Sequence, residues 1–177
     1  MAKVGLRGLR ILKTFHLITA CLWLGGAVGL TLMLFGMPLP ETDGQLYGYN
    51  LSCKFIDDFV IIPGAIGCLL TGLLISLLTQ WGFFKHRWII IKWVLTVFCI
   101  LFGTFFLSPT VNGQPRISAE EGLMALANVD YVANYHSNLK GGIFQLVSIV
   151  FMIWLSVFKP LKGRGKPLIP KTAELPD

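Results

Sequence analysis

The 177-residue chain is 54% hydrophobic and only 14% charged, with a net charge of +6 and a mean hydropathy of +0.69. A water-soluble domain carries about 25% charged residues, so most of this surface faces something other than water. The basic residues lie in short segments between long apolar runs and not on one folded face, which argues against a nucleic-acid partner.

Four apolar runs set the organisation. The first, 14–35, follows a basic flank. It is longer than the apolar stretch of about 7–15 residues in a signal peptide, and no small-x-small cleavage site follows, so it reads as a retained helix. After a loop rich in Gly, Pro and Tyr comes the second run, 59–79, which holds no charge; the third, 88–107, holds one, Lys92. The next loop, 108–140, opens on Ser108-Pro109 and Asn112-Gly113, both turn signals. Ser118 and Glu121 are then spaced as a capping box, which predicts a short extra helix in this third loop. The fourth run, 141–158, is extended backward by a more polar stretch from about Asp130. A helix needs about 20 apolar residues to cross the hydrocarbon core, and continuous rather than alternating runs exclude a barrel. The predicted fold is all-α: one integral membrane domain over 1–177, a four-transmembrane-helix bundle with helices near 10–36, 58–80, 87–107 and 130–158 and a basic tail at 159–177.

Lys3, Arg7, Arg10 and Lys13 precede the first run, Lys85 and Arg87 sit between the second and third, and Lys159, Lys162, Arg164, Lys166 and Lys171 follow the fourth. The other two loops hold only Lys54, Arg116 and Lys140. The positive-inside rule then predicts both termini in the cytoplasm. The expected location is the bacterial cytoplasmic (inner) membrane, as a multi-pass protein.

The residues that can carry chemistry are few. Lys92 lies about one turn inside the cytoplasmic end of its helix, where a cation is costly. Snorkelling to the headgroups explains it; an inward orientation would make it an anion or cofactor contact. Its helical face continues through Thr96, Cys99 and Gly103, which suits helix contact better than lipid. His16 lies at similar depth, on a face with Thr19, Ala20, Trp23 and Gly26. It is either a hydrogen-bonded core histidine or an axial ligand to haem iron. His136 is at the outer end of the fourth helix, roughly 20 Å or more away in depth, so one haem held by both histidines is excluded. His86, in Lys-His-Arg, reads as a solvated loop residue.

Asp57 and Asp58 open the second helix, where the dipole favours acids. Together with His136 they form a candidate outer polar cluster for ion or proton entry. The cysteines, Cys21, Cys53, Cys68 and Cys99, show no Cys-x-x-Cys spacing and read as packing residues. Trp81, Trp88 and Trp93 suggest an aromatic belt. Gly25, Gly26, Gly29, Gly64, Gly67 and Gly72 suggest close helix approach, and Gln145, Ser148, Met152 and Ser156 form a polar stripe suited to a bundle interior.

Residues 12–28, LKTFHLITACLWLGGAV, carry His-x6-Trp-x-Gly-Gly. This resembles the opening helix of copper-resistance D-type membrane proteins and of membrane-embedded, oxygen-independent protoporphyrinogen oxidases. RWIIIK at 87–92 resembles the Trp-x-x-x-Lys region of the latter's third helix. That resemblance implies haem b, with His16 and Lys92 as the functional pair and Trp23 beside the cofactor. More of the chain, through IDDFVIIPGAIGCLLTG, TQWGFFKHRWIIIKW, GTFFLSP and SVFKP, resembles a bacterial family of small four-helix membrane proteins with no assigned function. The segment 30–38 has no Arg or second His, a departure from the oxidase pattern.

Two functional readings follow. One is a haem-b-binding redox protein, with His16 as iron ligand and quinone or a redox protein as partner. The other is a small ion or metal transporter, which would need to be a homo-oligomer, or an accessory or scaffold subunit without a cofactor. The residues do not decide whether the chain is an enzyme.

Overall fold

The computed structural model describes residues 5–79 and 86–159. Helix α1 is Leu6–Gly36. Helix α2, Asp43–Ile56, continues through a π-helical turn, Asp57–Ile61, into α3, Ile62–Leu78. Helix α4, Arg87–Phe102, continues through a second π-helical turn, Gly103–Leu107, into α5, Ser108–Glu121. A 3-10 stretch, Gly122–Ala127, leads to α6, Val129–Phe158. The described residues hold no strand. They form four rods long and apolar enough to cross a membrane: Leu6–Gly36, Asp43–Leu78, Arg87–Ala127 and Val129–Phe158. The chain is a multi-pass membrane protein.

The second and third rods, of 36 and 41 residues, are far longer than the roughly 20 residues a crossing needs. Their surplus lies on the face away from both chain ends, hereafter the far face; the side carrying Leu6, Leu78, Arg87 and Phe158 is the terminal face. There α2 packs on α5, and Leu46, Ile117, Ala125 and Tyr131 make a small core of their own. The segments expected to be loops are therefore helical. Ser108-Pro109 and Asn112-Gly113 do not turn the chain: Pro109 follows directly on the π-helical turn inside the continuous rod, and π-helical turns are where a helix absorbs such irregularity. The Asn112 amide instead donates back to the Ser108 carbonyl at 2.8 Å.

The expected capping box also fails. Ser118 lies inside α5, its hydroxyl donating to the Pro115 carbonyl at 3.1 Å, and Glu121 ends that helix. The extra helix is thus an outward extension of the third rod. Gly122, at φ +57°, makes the break in a backbone conformation that favours glycine. Asp43 then accepts from the Leu123 amide at 2.8 Å, tying the start of α2 to this corner. The fourth helix is started by Asn128, whose side-chain oxygen accepts from Asp130 N at 2.9 Å and Tyr131 N at 3.2 Å, an N-cap.

Within the membrane α1 packs on α3 and α6, and α4 packs on α6 and only loosely on α3. The α1–α3 contact depends on glycine. A Cβ on Gly26 would stand 2.7 Å from Ile61 Cγ1, on Gly64 2.6 Å from the Trp23 backbone nitrogen, and on Gly67 2.5 Å from Thr19 Cγ2. Gly25 and Gly29, expected to share this role, have nothing within 4 Å of that position. Trp23, Ala27, Ala65, Cys99, Ile149 and Met152 form the core beneath the contact. Large apolar side chains such as Leu70, Leu74, Val94, Phe98, Val147 and Val150 are exposed and face the lipid.

Replacing Gly64 by Ala pushes a methyl group into the α1 backbone, which cannot rotate away. Gly64→Ala is expected to lose about 1–3 kcal/mol of stability, the usual cost of overpacking. Gly25→Ala should change little. Unfolding both variants in mixed micelles by SDS titration, with helicity as readout, checks this.

Candidate functional site

Where α3 and α4 meet loosely, the bundle opens on the terminal face into a cleft of about 300 Å³. Lys13 and His16 of α1, Cys68 and Ser76 of α3, Trp88 and Lys92 of α4, and Ser156 and Lys159 at the end of α6 all reach its wall. His16 and Lys92, placed by sequence on two different helices, share this one cavity.

The imidazole is oriented by its neighbour. Thr71 Oγ1 stands 2.6 Å from the Gly67 carbonyl, to which it donates. It is also 2.8 Å from His16 Nδ1. With its own proton on Gly67, Thr71 accepts from Nδ1–H. A neutral His16 then carries its lone pair on Nε2, the nitrogen fit to bind a metal or accept a proton. The ring packs over Gly72 of α3: a Cβ there would be 3.5 Å from His16 Cε1, an ordinary contact.

Lys92 points inward. Its Nζ donates to Ser156 Oγ at 2.6 Å, and Ser156 donates to the Met152 carbonyl at 2.8 Å. One turn deeper, the Thr96 hydroxyl donates to Met152 Sδ at 3.1 Å. The stripe of Gln145, Ser148, Met152 and Ser156 thus faces the interior, with Gln145 Nε2 donating to the Cys99 carbonyl at 3.3 Å. Of the expected aromatic belt, Trp88 and Trp93 line the cleft, Trp93 Nε1 donating to Ser76 Oγ at 3.3 Å; Trp81 lies outside the described residues. So does the tail beyond Lys159.

Trp23 does not reach the cleft wall. It is 3% exposed and packed in the core, because Gly64 lets α3 close over its backbone. The outer acids also separate. Asp58 pairs with Lys54 at 2.6 Å, both partly exposed, and Lys54 also donates to Asn112 at 2.6 Å. Asp57 lines a small internal cavity of about 40 Å³ with Asn138 and Gln145, between the two π-helical turns. His136 is exposed and makes an edge contact with Tyr135.

Sequence reasoning missed Thr71 and Lys13. Thr71 is one of the few hydroxyls in the run 59–79, and Lys13 precedes His16 by three residues, a spacing that puts both on one helix face. Among the described residues no group of three or more His, Cys, Asp or Glu side chains gathers to hold a metal ion. A cofactor bringing its own metal needs only one such ligand.

Residues 10–160 match the family described as "Predicted integral membrane protein (DUF2269)". No curated relative and no solved structure matches the chain.

A cation held inside a membrane bundle is costly and is not a packing residue. Lys92→Met, which keeps the chain length and removes the charge, is expected to leave the thermal unfolding midpoint equal or higher. A fall of more than a few degrees would show that the bond to Ser156 holds the bundle together. Thr71→Val is expected to release the Nδ1 proton: the 15N spectrum of labelled histidine should change from one His16 tautomer to a mixture of two.

Proposed function

We propose, for a chain that belongs to the DUF2269 family of predicted integral membrane proteins, that the terminal-face cleft binds haem b and that the protein carries electrons. The observation supporting this most is the pairing, in one cavity, of a histidine anchored through Nδ1 with a buried-side cation, Lys92.

The residues present fit such a group. His16 Nε2 would hold the iron. Lys92 would face a propionate, with Lys13 and Lys159 at the same wall for the second acid. Trp88, Trp93, Ile75 and Ile89 supply an apolar lining. The likeness of His-x6-Trp-x-Gly-Gly and Trp-x-x-x-Lys to the protoporphyrinogen oxidase helices gives the same pair. At about 300 Å³ the cleft is at the lower end of the range of about 300–1,000 Å³ for small-molecule sites. Binding a macrocycle would require α3 and α4, whose contact is already loose, to stand further apart.

Bound there, haem supplies one-electron chemistry. Thr71 fixes the imidazole orientation and, by accepting from Nδ1–H, raises the basicity of Nε2, the usual effect of a partner behind a metal-bound histidine. Lys92 offsets acid charge in a medium of low dielectric. The lysine and arginine distribution supports a cytoplasmic position for the cleft; in a bacterial inner membrane a soluble redox partner, or a quinone in the bilayer, would then have access.

Protein purified in detergent from haem-replete cells should show a near-stoichiometric b-type spectrum in reduced-minus-oxidised absorption. His16→Ala should abolish it, and Lys92→Met should weaken retention of the haem on dilution. Absence of any chromophore after haem reconstitution of the wild type would retire the redox reading.

A second reading, transport of a proton or small cation, is favoured by one observation. Asp57 lines an internal cavity with room for a water or two, beside the amides of Asn138 and Gln145. It predicts that proteoliposomes loaded with a pH-sensitive dye take up protons, and that Asp57→Asn stops them.

A further inference from the structure

On the far face lies a second cavity, about 330 Å³ in volume, between the end of α1, the segment that follows it, α2, α5 and α6. Most of its wall is apolar, as at Met37, Leu46 and Leu126, and no Lys, Arg, Asp or Glu reaches it. Two carboxamides do: Asn50, 6% exposed, and Gln114, 3% exposed.

Each amide is satisfied at one end only. Asn50 Oδ1 accepts from the Tyr131 hydroxyl at 3.1 Å. Gln114 Oε1 accepts from Asn138 Nδ2 at 2.6 Å, and Asn138 Oδ1 in turn accepts from the Thr110 hydroxyl. These bonds fix both planes and leave the NH2 groups at the other end. Asn50 Nδ2 and Gln114 Nε2 are buried with no hydrogen-bond partner. An unmet buried donor costs about 1–3 kcal/mol, and more than 90% of buried polar groups are satisfied in folded proteins. Both residues line one cavity, so two unmet donors lie beside the same apolar space, within reach of a small side-chain adjustment toward something that accepts.

We propose that the far-face cavity binds a neutral, largely apolar molecule bearing carbonyl-type acceptors, held by hydrogen bonds from Asn50 Nδ2 and Gln114 Nε2. Neutrality follows from the wall. A buried carboxylate or phosphate needs a cation, and none is there. The apolar body follows from the methionine, leucine, proline and valine side chains that, with three tyrosine rings and Cys53, make up the remainder of the lining. The site is separate from the terminal-face cleft in residues and in depth, so it stands or falls independently of the haem reading.

The probe is 2,3-dimethyl-1,4-naphthoquinone, whose ring positions are blocked against addition of the free thiol of Cys53, which also reaches the cavity. The control is 2,3-dimethylnaphthalene, the same body without acceptors. Both are titrated into detergent-solubilised, 15N-labelled protein. The quinone is expected to saturate a single site and to shift the side-chain NH2 resonances of Asn50 and Gln114, while the hydrocarbon binds at least tenfold more weakly. Asn50→Leu and Gln114→Met, each close in volume to the residue replaced, remove the donors without adding a charge; each should weaken quinone binding at least tenfold and leave hydrocarbon binding unchanged. Equal binding of quinone and hydrocarbon, undiminished binding by both variants, or wild-type NH2 resonances unmoved at saturation would each overturn the proposal. The last readout uses the wild type alone and holds even where a variant misfolds.

Discussion

A backbone inside hydrocarbon has no water to bond, so each amide must be satisfied within its own helix. This constraint explains the continuity of the four rods and why no turn interrupts them at membrane depth. Deviations are limited to what a helix can absorb, and the two π-helical turns, Asp57–Ile61 and Gly103–Leu107, are of that kind. Each admits one extra residue per turn without breaking the rod. They stand on either side of the small cavity that holds Asp57, the level at which the rods pass from lipid-facing bundle to far-face extension.

With the backbone closed on itself, association is left to close packing and side-chain hydrogen bonds. Gly64 lets α3 touch the backbone of α1 at Trp23, and Gly26 and Gly67 make room for the Ile61 and Thr19 side chains, which makes that pair the tightest in the bundle. No comparable run of small residues joins α3 to α4, and the two helices diverge toward the terminal face. The cleft is the result. Its polar residues are bonded along its two walls, His16 of α1 to Thr71 of α3 and Lys92 of α4 to Ser156 of α6, so neither bond closes the gap and each holds its residue in place at the cleft. The far-face cavity arises differently: α2 and α5 meet on the far face around a core of four residues, too few to fill the space next to α1.

Hydropathy made the four crossings and the inner half of each helix legible, because an apolar run of about 20 residues has few other uses. It also singled out His16 and Lys92, since polar groups stand out against such a background. It misread 43–57 and 108–117, where Gly, Pro and Asn imitate turns. These residues are helical because α2 and α5 bury Leu46 and Ile117 against each other, a contact distant in sequence. Trp23 lies in the core and not at the cleft wall for a related reason: the glycines of α3 bring that helix down over it.

Composition and the order of apolar runs by themselves determined that this is an all-helical, four-span membrane protein with an intramembrane histidine and lysine, because the cost of exposing polar groups to lipid acts residue by residue along the chain. Which way those two residues point, that Thr71 and Ser156 hold them, and that Asn50 and Gln114 leave donors on a second cavity were decided by the tertiary structure alone. Helix rotation and the depth of neighbouring side chains depend on how rods distant in sequence pack, and an apolar run looks the same at every rotation about its axis.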